Sequence, residues 1–213
     1  MKKSFLLLSA LVLLLASEGD ANSRNRVRQP GANPAAEDKT PPSYDMKPQA
    51  LQDLEDMHKK MVSLATAIPA EKYTWRPEAG VRSLSELFLH VTAANYNIPA
   101  LISGSPQVPA FKADGFETST TDKAKIIEQL DRSFANAEAA VKSMSNADFA
   151  KPEKKLGPDA NDGDVIYLVV VHNHEHLGQT IAYARLNGIT PPWTEEAQRK
   201  ARAAKDAAAP KKD

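Results

Sequence analysis

The sequence predicts an all-α protein built as a four-helix bundle. Four long segments repeat apolar residues at steps of three and four, which is the helical period, and capping residues, proline and glycine mark their ends. No segment shows the signal of a strand. Amphipathic helices of this length bury their apolar stripes against one another, and four of them form a bundle.

The first helix is predicted over about residues 46–68, where Pro69 ends it. The second begins after the N-cap Ser83, with Glu86 as its capping-box partner. Pro99 lies inside the apolar pattern of this helix, so we expect a kink or an early end there.

The third helix is predicted over about residues 121–144 and the fourth over about 164–186, with Gly188 just past its end. The long connection 103–120 carries Pro106, Pro109 and Gly115, and could be a lid over a site or an irregular loop. The stripe expected to face inward on the fourth helix consists of Val165, Leu168, Val169, His172, His176, Gln179, Tyr183 and Leu186.

Residues 1–21 are predicted to be a signal peptide, because Lys2 and Lys3 precede a short apolar run and small residues follow. Cleavage is expected after Ala21; the alternative is that the segment stays as an anchor. The protein is therefore expected to be exported, to the periplasm or outside the cell, with no stable membrane insertion after cleavage. Residues 22–43 read as a disordered linker, 44–195 as the domain, and 196–213 as a flexible or frayed helical tail.

The composition excludes several classes of function. The chain has no cysteine, which rules out disulfides and thiol catalysis by its own residues. It carries 27 basic and 27 acidic residues, and this neutral balance argues against nucleic acid as a partner.

Three histidines carry the strongest functional signal. His172 and His176 are four residues apart, so their rings lie on one face of the fourth helix, at the centre of its predicted inward stripe, while His174 points the other way. His90 lies at the flank of the second helix's apolar face. Three imidazoles with water form a recognised open metal site, and they suit zinc, nickel or iron. The alternative is three core histidines bonded to neighbouring groups.

The helix that carries two of these histidines does not have the zincin pattern. A zincin places its general base, a glutamate, directly after the first ligand, and here that position is Asn173. Glu175 lies before the second histidine and is expected to be solvated. Protease activity is therefore not expected.

In three segments the chain resembles the DinB-like family, the DinB/YfiT superfamily of metal-binding helical bundles. Residues 73–90 contain Trp75-Arg76-Pro77 and end in His90; residues 172–179 contain the histidine pair followed by Gly-Gln; residues 186–193 read Leu-Asn-Gly-Ile-Thr-Pro-Pro-Trp. The resemblance implies an up-down-down-up bundle, one divalent metal held by the three histidines, and frequent homodimers. Family members include thiol-dependent transferases and isomerases.

Four further residues are candidates for a pocket or for the surroundings of the metal: His58, Asn97, Gln179 and Tyr183. Each has a structural alternative as a polar group bonded to the backbone. The function expected is a metal-dependent hydrolase, or a transferase, acting on an unidentified small molecule. The alternative is a non-catalytic envelope protein that binds a metal or ligand, with a structural site in which His58 would be the fourth ligand.

Overall fold

Five α-helices contain most of the residues described by this computed structural model, which are 45–102 and 114–208. Extended pairing within those two ranges is limited to one isolated bridge between Pro152 and Asn161. The predicted all-α class is confirmed. The helices are α1 (Met46–Ala67), α2 (Leu84–Asn97), α3 (Lys123–Ser143), α4 (Asp162–Leu186) and α5 (Pro192–Ala208), and single 3-10 turns lie at Ala70–Lys72, Pro99–Leu101, Phe116–Thr118 and Asp148–Ala150.

The predicted signal peptide (1–21) and linker (22–43) lie outside the described residues, as does most of the connection considered as a lid. Within the described part of the chain, no helix combines the length and the apolar character needed to cross a membrane.

The helix ends follow their capping chemistry. The Ser83 hydroxyl accepts the N–H of Glu86, and the Glu86 carboxylate accepts the N–H of Ser83, so the predicted capping box is present at the start of α2. Pro99 shortens this helix, which ends at Asn97. Helix α4 starts two residues earlier than predicted, because Asn161 caps it and Asp164 completes a second capping box.

Helix α1 packs against α3 and α4, and α2 packs against the same two helices. The side chain of Lys47 at the start of α1 bonds the carbonyls of Lys142 and Met144 at the end of α3, so these helices are antiparallel. The first residues of α1 and α4, among them Met46 and Gly163, line one surface cavity, so these two begin at the same end. These contacts are consistent with the predicted up-down-down-up order.

The core lies between the four bundle helices, and its largest fully buried side chains include Leu54, Met57, Met61, Tyr73, Leu84, Phe88, Ile126 and Phe134. Tyr73 fills the space between α1 and α2, donating its hydroxyl to the carbonyl of Ala65 at 2.8 Å and packing on Phe88. Trp75 is half-buried, with its ring edge against Tyr183 of α4.

Helix α5 buries no residue and contacts α1. It begins at Pro192, where the N–H groups of Thr194 and Glu195 bond the carbonyl of Pro191. The boundary predicted at residue 196 between domain and tail therefore falls inside a helix that continues to Ala208.

Candidate metal centre

Helices α2 and α4 bring the three predicted histidines together. The ring centroids of His90 and His172 are 5.0 Å apart, those of His90 and His176 are 4.7 Å apart, and those of His172 and His176 are 4.4 Å apart. One nitrogen from each ring lies within 4.8 Å of the other two, so the group could hold a metal ion.

The histidine pair lies at the flank of the buried face of α4, whereas the sequence placed it at the centre. That centre is occupied by Val169, Asn173 and Thr180, all fully buried, while Leu168 and Leu186 of the predicted stripe are exposed. His172 is half-buried, and His174 faces solvent as expected. The flank position leaves the imidazoles at the edge of the seam between α2 and α4 and not sealed inside the core.

Hydrogen bonds fix the ring orientation of two of the histidines. Nδ1 of His90 lies 2.7 Å from a carboxylate oxygen of Glu117, and Nδ1 of His176 lies 2.9 Å from the amide oxygen of Gln179. Because both acceptors need an N–H, each ring carries its proton on Nδ1, and Nε2 keeps its lone pair. Ligand histidines in metal sites are held in this way by their outer nitrogen.

The spacing between the ring nitrogens fits a shared ion. Nε2 of His90 and Nε2 of His172 are 3.1 Å apart. Two nitrogens that each lie about 2.0–2.1 Å from one tetrahedral zinc ion are separated by roughly 3.3 Å. The donor set and the spacing of this pair therefore fit a divalent transition metal.

His172 differs from the other two histidines because its outer nitrogen has no such partner in the described part of the chain. Its Nδ1 is buried and has no hydrogen-bond partner among the described residues. A buried polar atom left in that state costs about 1–3 kcal/mol. An imidazole kept at such a cost is typical of a functional position, where one local rule is broken.

The protonation of the site suits metal binding. Burial lowers the pKa of His172 to about 4, helped by the neighbouring charges of His176, His90 and Arg82. Burial also lowers the pKa of His176, although its hydrogen bond to Gln179 opposes the shift. Both rings are therefore neutral at pH 7, which is the form that binds a cation.

Glu117 and Arg82 are the site residues that the sequence did not reveal. The Arg82 Nε donates to Glu117 at 2.7 Å, on the carboxylate oxygen that does not face His90. Burial raises the pKa of Glu117, but the hydrogen bonds and charges of Arg82 and His90 outweigh it and lower the pKa overall. Sequence spacing could not link Glu117 to the histidines, because the α2–α3 connection brings it back to α2 in space. The sequence indicated only that this connection contains ionisable residues.

The other predicted candidates divide into two groups. Gln179 does lie against the site. Its Nε2 donates to the hydroxyl of Tyr183 at 3.0 Å, so Tyr183 helps to hold the amide that bonds His176. His58 and Asn97 were expected near the site, and neither is brought to the three histidines. Asn97 is exposed at the end of α2.

Asn95, two residues before Asn97, is the buried amide of this helix. Its Oδ1 accepts from Asn173 of α4 at 2.7 Å, and its Nδ2 donates to Ser133 of α3 at 3.3 Å. This network ties α2 to both neighbours directly behind the histidines. Asn173, in the position where a zincin has its base, is thus a buried structural amide, while Glu175 is exposed as expected.

The chain was compared with models of known protein families. The model described as the DinB superfamily matches residues 53–180, which is more than half of the 213-residue chain. The matched range runs from α1 into α4 and contains all three histidines. A comparison with curated proteins finds no match to this chain.

Proposed function

Because this chain belongs to the DinB superfamily, as its motifs indicated, we propose that His90, His172 and His176 bind one divalent metal ion for catalysis. The reaction proposed is hydrolysis of a small molecule by an exported enzyme. The observation that carries the proposal is the convergence of three imidazole nitrogens, from two helices, within 4.8 Å. Zinc, nickel and iron all suit such a donor set.

The lack of a fourth protein ligand beside the three histidines, among the residues that the structure describes, supports a catalytic role over a structural one. A structural zinc site is closed by four protein ligands, whereas a catalytic site has three and leaves one position for water or substrate. His58 was the candidate for a fourth ligand, and both of its ring nitrogens bond carboxylates of α3. A divalent cation at an open site supplies Lewis-acid chemistry, which activates water or polarises a substrate oxygen.

The residues of the chain have distinct tasks in this proposal. Glu117 and Gln179 hold the Nδ1 protons of their histidines, so the Nε2 atoms stay available for the ion. Helix α4 offers no general base in the zincin position. The site would therefore depend on the cation and the bound substrate more than on a second acid–base residue of this helix.

Export supports hydrolysis over thiol transfer. The N-terminal pattern predicts a signal peptide, and the low-molecular-weight thiols used by family transferases are mainly cytosolic. The chain itself has no cysteine that could replace them. Water is available in every compartment.

The test is metal analysis of the full chain purified from its cell envelope, with turnover measured on small esters and amides. We expect about one metal ion per chain, none in His172→Ala, and a normal content in His174→Ala, which removes an exposed histidine of the same helix. Turnover should stop on chelation and return with metal. Equal metal content in wild type and His172→Ala would refute the site; bound metal without turnover on any substrate would favour the non-catalytic alternative.

A further inference from the structure

We propose that Glu117 is a positioning residue of the metal centre and that it couples the turn Phe116–Thr118 to metal occupancy. The inference rests on the proposed function, because it assumes that His90 is a ligand. It adds a residue from outside the two ligand helices and a mechanical link to the α2–α3 connection.

The first step is the geometry of the carboxylate. One oxygen of Glu117 lies 2.7 Å from Nδ1 of His90 and 3.3 Å from Nη2 of Arg82, and the other lies 2.7 Å from Nε of Arg82. Both oxygens are therefore engaged, and the carboxylate has one orientation. Its side chain is 31% exposed and that of His90 is 23% exposed, so the bond between them is largely shielded from water.

The second step is what this bond does to His90. An ionised carboxylate only accepts, so it holds the proton of His90 on Nδ1 and directs the lone pair of Nε2 to the site. It also makes the imidazole a stronger electron donor. The loss of such outer partners commonly weakens metal binding by about 10–100-fold.

The third step is the link to the connection. Glu117 is the middle residue of the turn Phe116–Thr118, which packs against α2. Gly115 precedes the turn with a φ of 72°, a left-handed conformation that a side chain would strain. A cation on Nε2 strengthens the Nδ1–H bond to Glu117, and by linkage the turn must then be held more tightly in the metal-bound protein.

The experiment measures Zn²⁺ affinity of the full chain by competition with a chelator. We expect Glu117→Ala to bind about 10–100-fold more weakly than wild type. Glu117→Gln should lose less, because its amide oxygen still accepts from Nδ1, and Arg82→Ala less again. Glu128→Gln is the matched control. Glu128 pairs with Arg132 on the exposed face of α3, and the substitution should leave the Zn²⁺ affinity unchanged.

Two further readouts separate positioning from general structure. The ring ¹⁵N shifts of metal-free His90 should report a single Nδ1–H tautomer in wild type and a mixture in Glu117→Ala. Zn²⁺ should slow amide exchange at residues 116–118 in wild type and have little effect there in Glu117→Ala. If Glu117→Ala does not fold, Glu117→Gln and Arg82→Ala provide the same comparison.

The outcomes are distinguishable from those of the proposed function. If His172→Ala loses Zn²⁺ while every Glu117 variant binds within twofold of wild type, the metal site stands and this inference fails. Unchanged exchange at residues 116–118 on adding Zn²⁺ would overturn the coupling. If wild type itself binds no Zn²⁺, both proposals fall.

Discussion

His58 and His90 lie on different seams of the bundle, and each bonds a carboxylate from outside its own helix. Their side chains are almost equally exposed, at 22% and 23%. They differ in how many of their ring nitrogens bond a carboxylate. Glu117 takes only Nδ1 of His90, whereas Glu138 takes Nδ1 of His58 and Asp131 takes its Nε2.

The two environments therefore give one residue type two roles. His58 also stacks on Phe134, with ring centroids 4.9 Å apart, so it joins α1 to α3 through three contacts. His90 keeps Nε2 directed at His172, across the seam between α2 and α4. The comparison teaches that the partner of the second ring nitrogen, another imidazole for His90 and a carboxylate for His58, and not the burial of the ring, marks a candidate ligand.

The sharpest way to break this comparison is to remove each histidine and measure how far Zn²⁺ stabilises the fold. At a free concentration 100 times its dissociation constant, a ligand stabilises the native state by about 2.7 kcal/mol. We expect that gain in wild type and His58→Ala, and almost none in His90→Ala, in denaturant unfolding with and without Zn²⁺. The same gain in all three proteins would remove His90 from the ligand set.

The second expected effect is a pH dependence of stability that arises from His172, in the seam between α2 and α4. The pKa of His172 is about 4 in the fold because burial and the charges of His176, His90 and Arg82 disfavour its protonated form. An unfolded histidine has a pKa near 6.5, so between these values the unfolded chain binds more protons. The stability of the metal-free protein should therefore fall as the pH drops from about 6.5 to about 4.

The loss attributable to His172 should be on the order of 1–2 kcal/mol, since the ring is only half-buried. Urea unfolding of metal-free protein at pH 7 and pH 4.5 measures it. His172→Ala should flatten the dependence in this window, and His174→Ala should reproduce wild type. A slope that persists unchanged in His172→Ala would assign the effect to other groups.

Much of this architecture could be predicted because its causes are local. The apolar period located α1 to α4, and Ser83 and Glu86 marked the start of α2 to the residue. The four-residue spacing of His172 and His176 placed their rings together because one helical turn does so wherever the helix lies. The place of His90 at the flank of the apolar face of α2 made it the third candidate, and the motifs shared with the DinB superfamily supported it.

The errors arose where tertiary contacts outweigh residue type. The buried face of α4 was misplaced because Asn173 and Thr180 are polar, yet both are buried. Asn173 is bonded to Asn95, and Thr180 donates to the carbonyl of His176 one turn earlier. Buried polar groups bonded in this way are indistinguishable from solvated ones in a sequence. The same limit hid Asn95, whose neighbour Asn97 was chosen instead.

A third, smaller effect is expected from the loss of Gln179, which bonds Nδ1 of His176. Gln179 accepts from Nδ1 of His176, so Gln179→Leu should weaken Zn²⁺ binding by about tenfold while keeping the volume of the side chain. Asn97→Ala removes an exposed amide of α2 and should change nothing measurable. Chelator competition on the folded proteins gives both values. Equal affinities for the two variants would mean that Gln179 does not orient its histidine.

The smallest effect concerns the seam that binds no metal. His58→Ala removes the stack on Phe134 and a bond to Glu138. The side chain of Glu138 is only 14% exposed, and it would keep its ion pair with Lys142. The side chain of Asp131 is 60% exposed, so its bond to His58 should contribute little to stability. We therefore expect the free energy of unfolding of the metal-free protein to fall by about 1 kcal/mol.

Denaturant unfolding of His58→Ala beside His174→Ala measures this difference, because the second variant removes an exposed histidine and should stay within about 0.5 kcal/mol of wild type. If His58→Ala proves as stable as His174→Ala, the contacts with α3 do not hold the seam. Only the effect on metal binding would then distinguish His90 from His58. If the loss appears and Zn²⁺ affinity stays unchanged, the two histidines act independently, as their separate seams require.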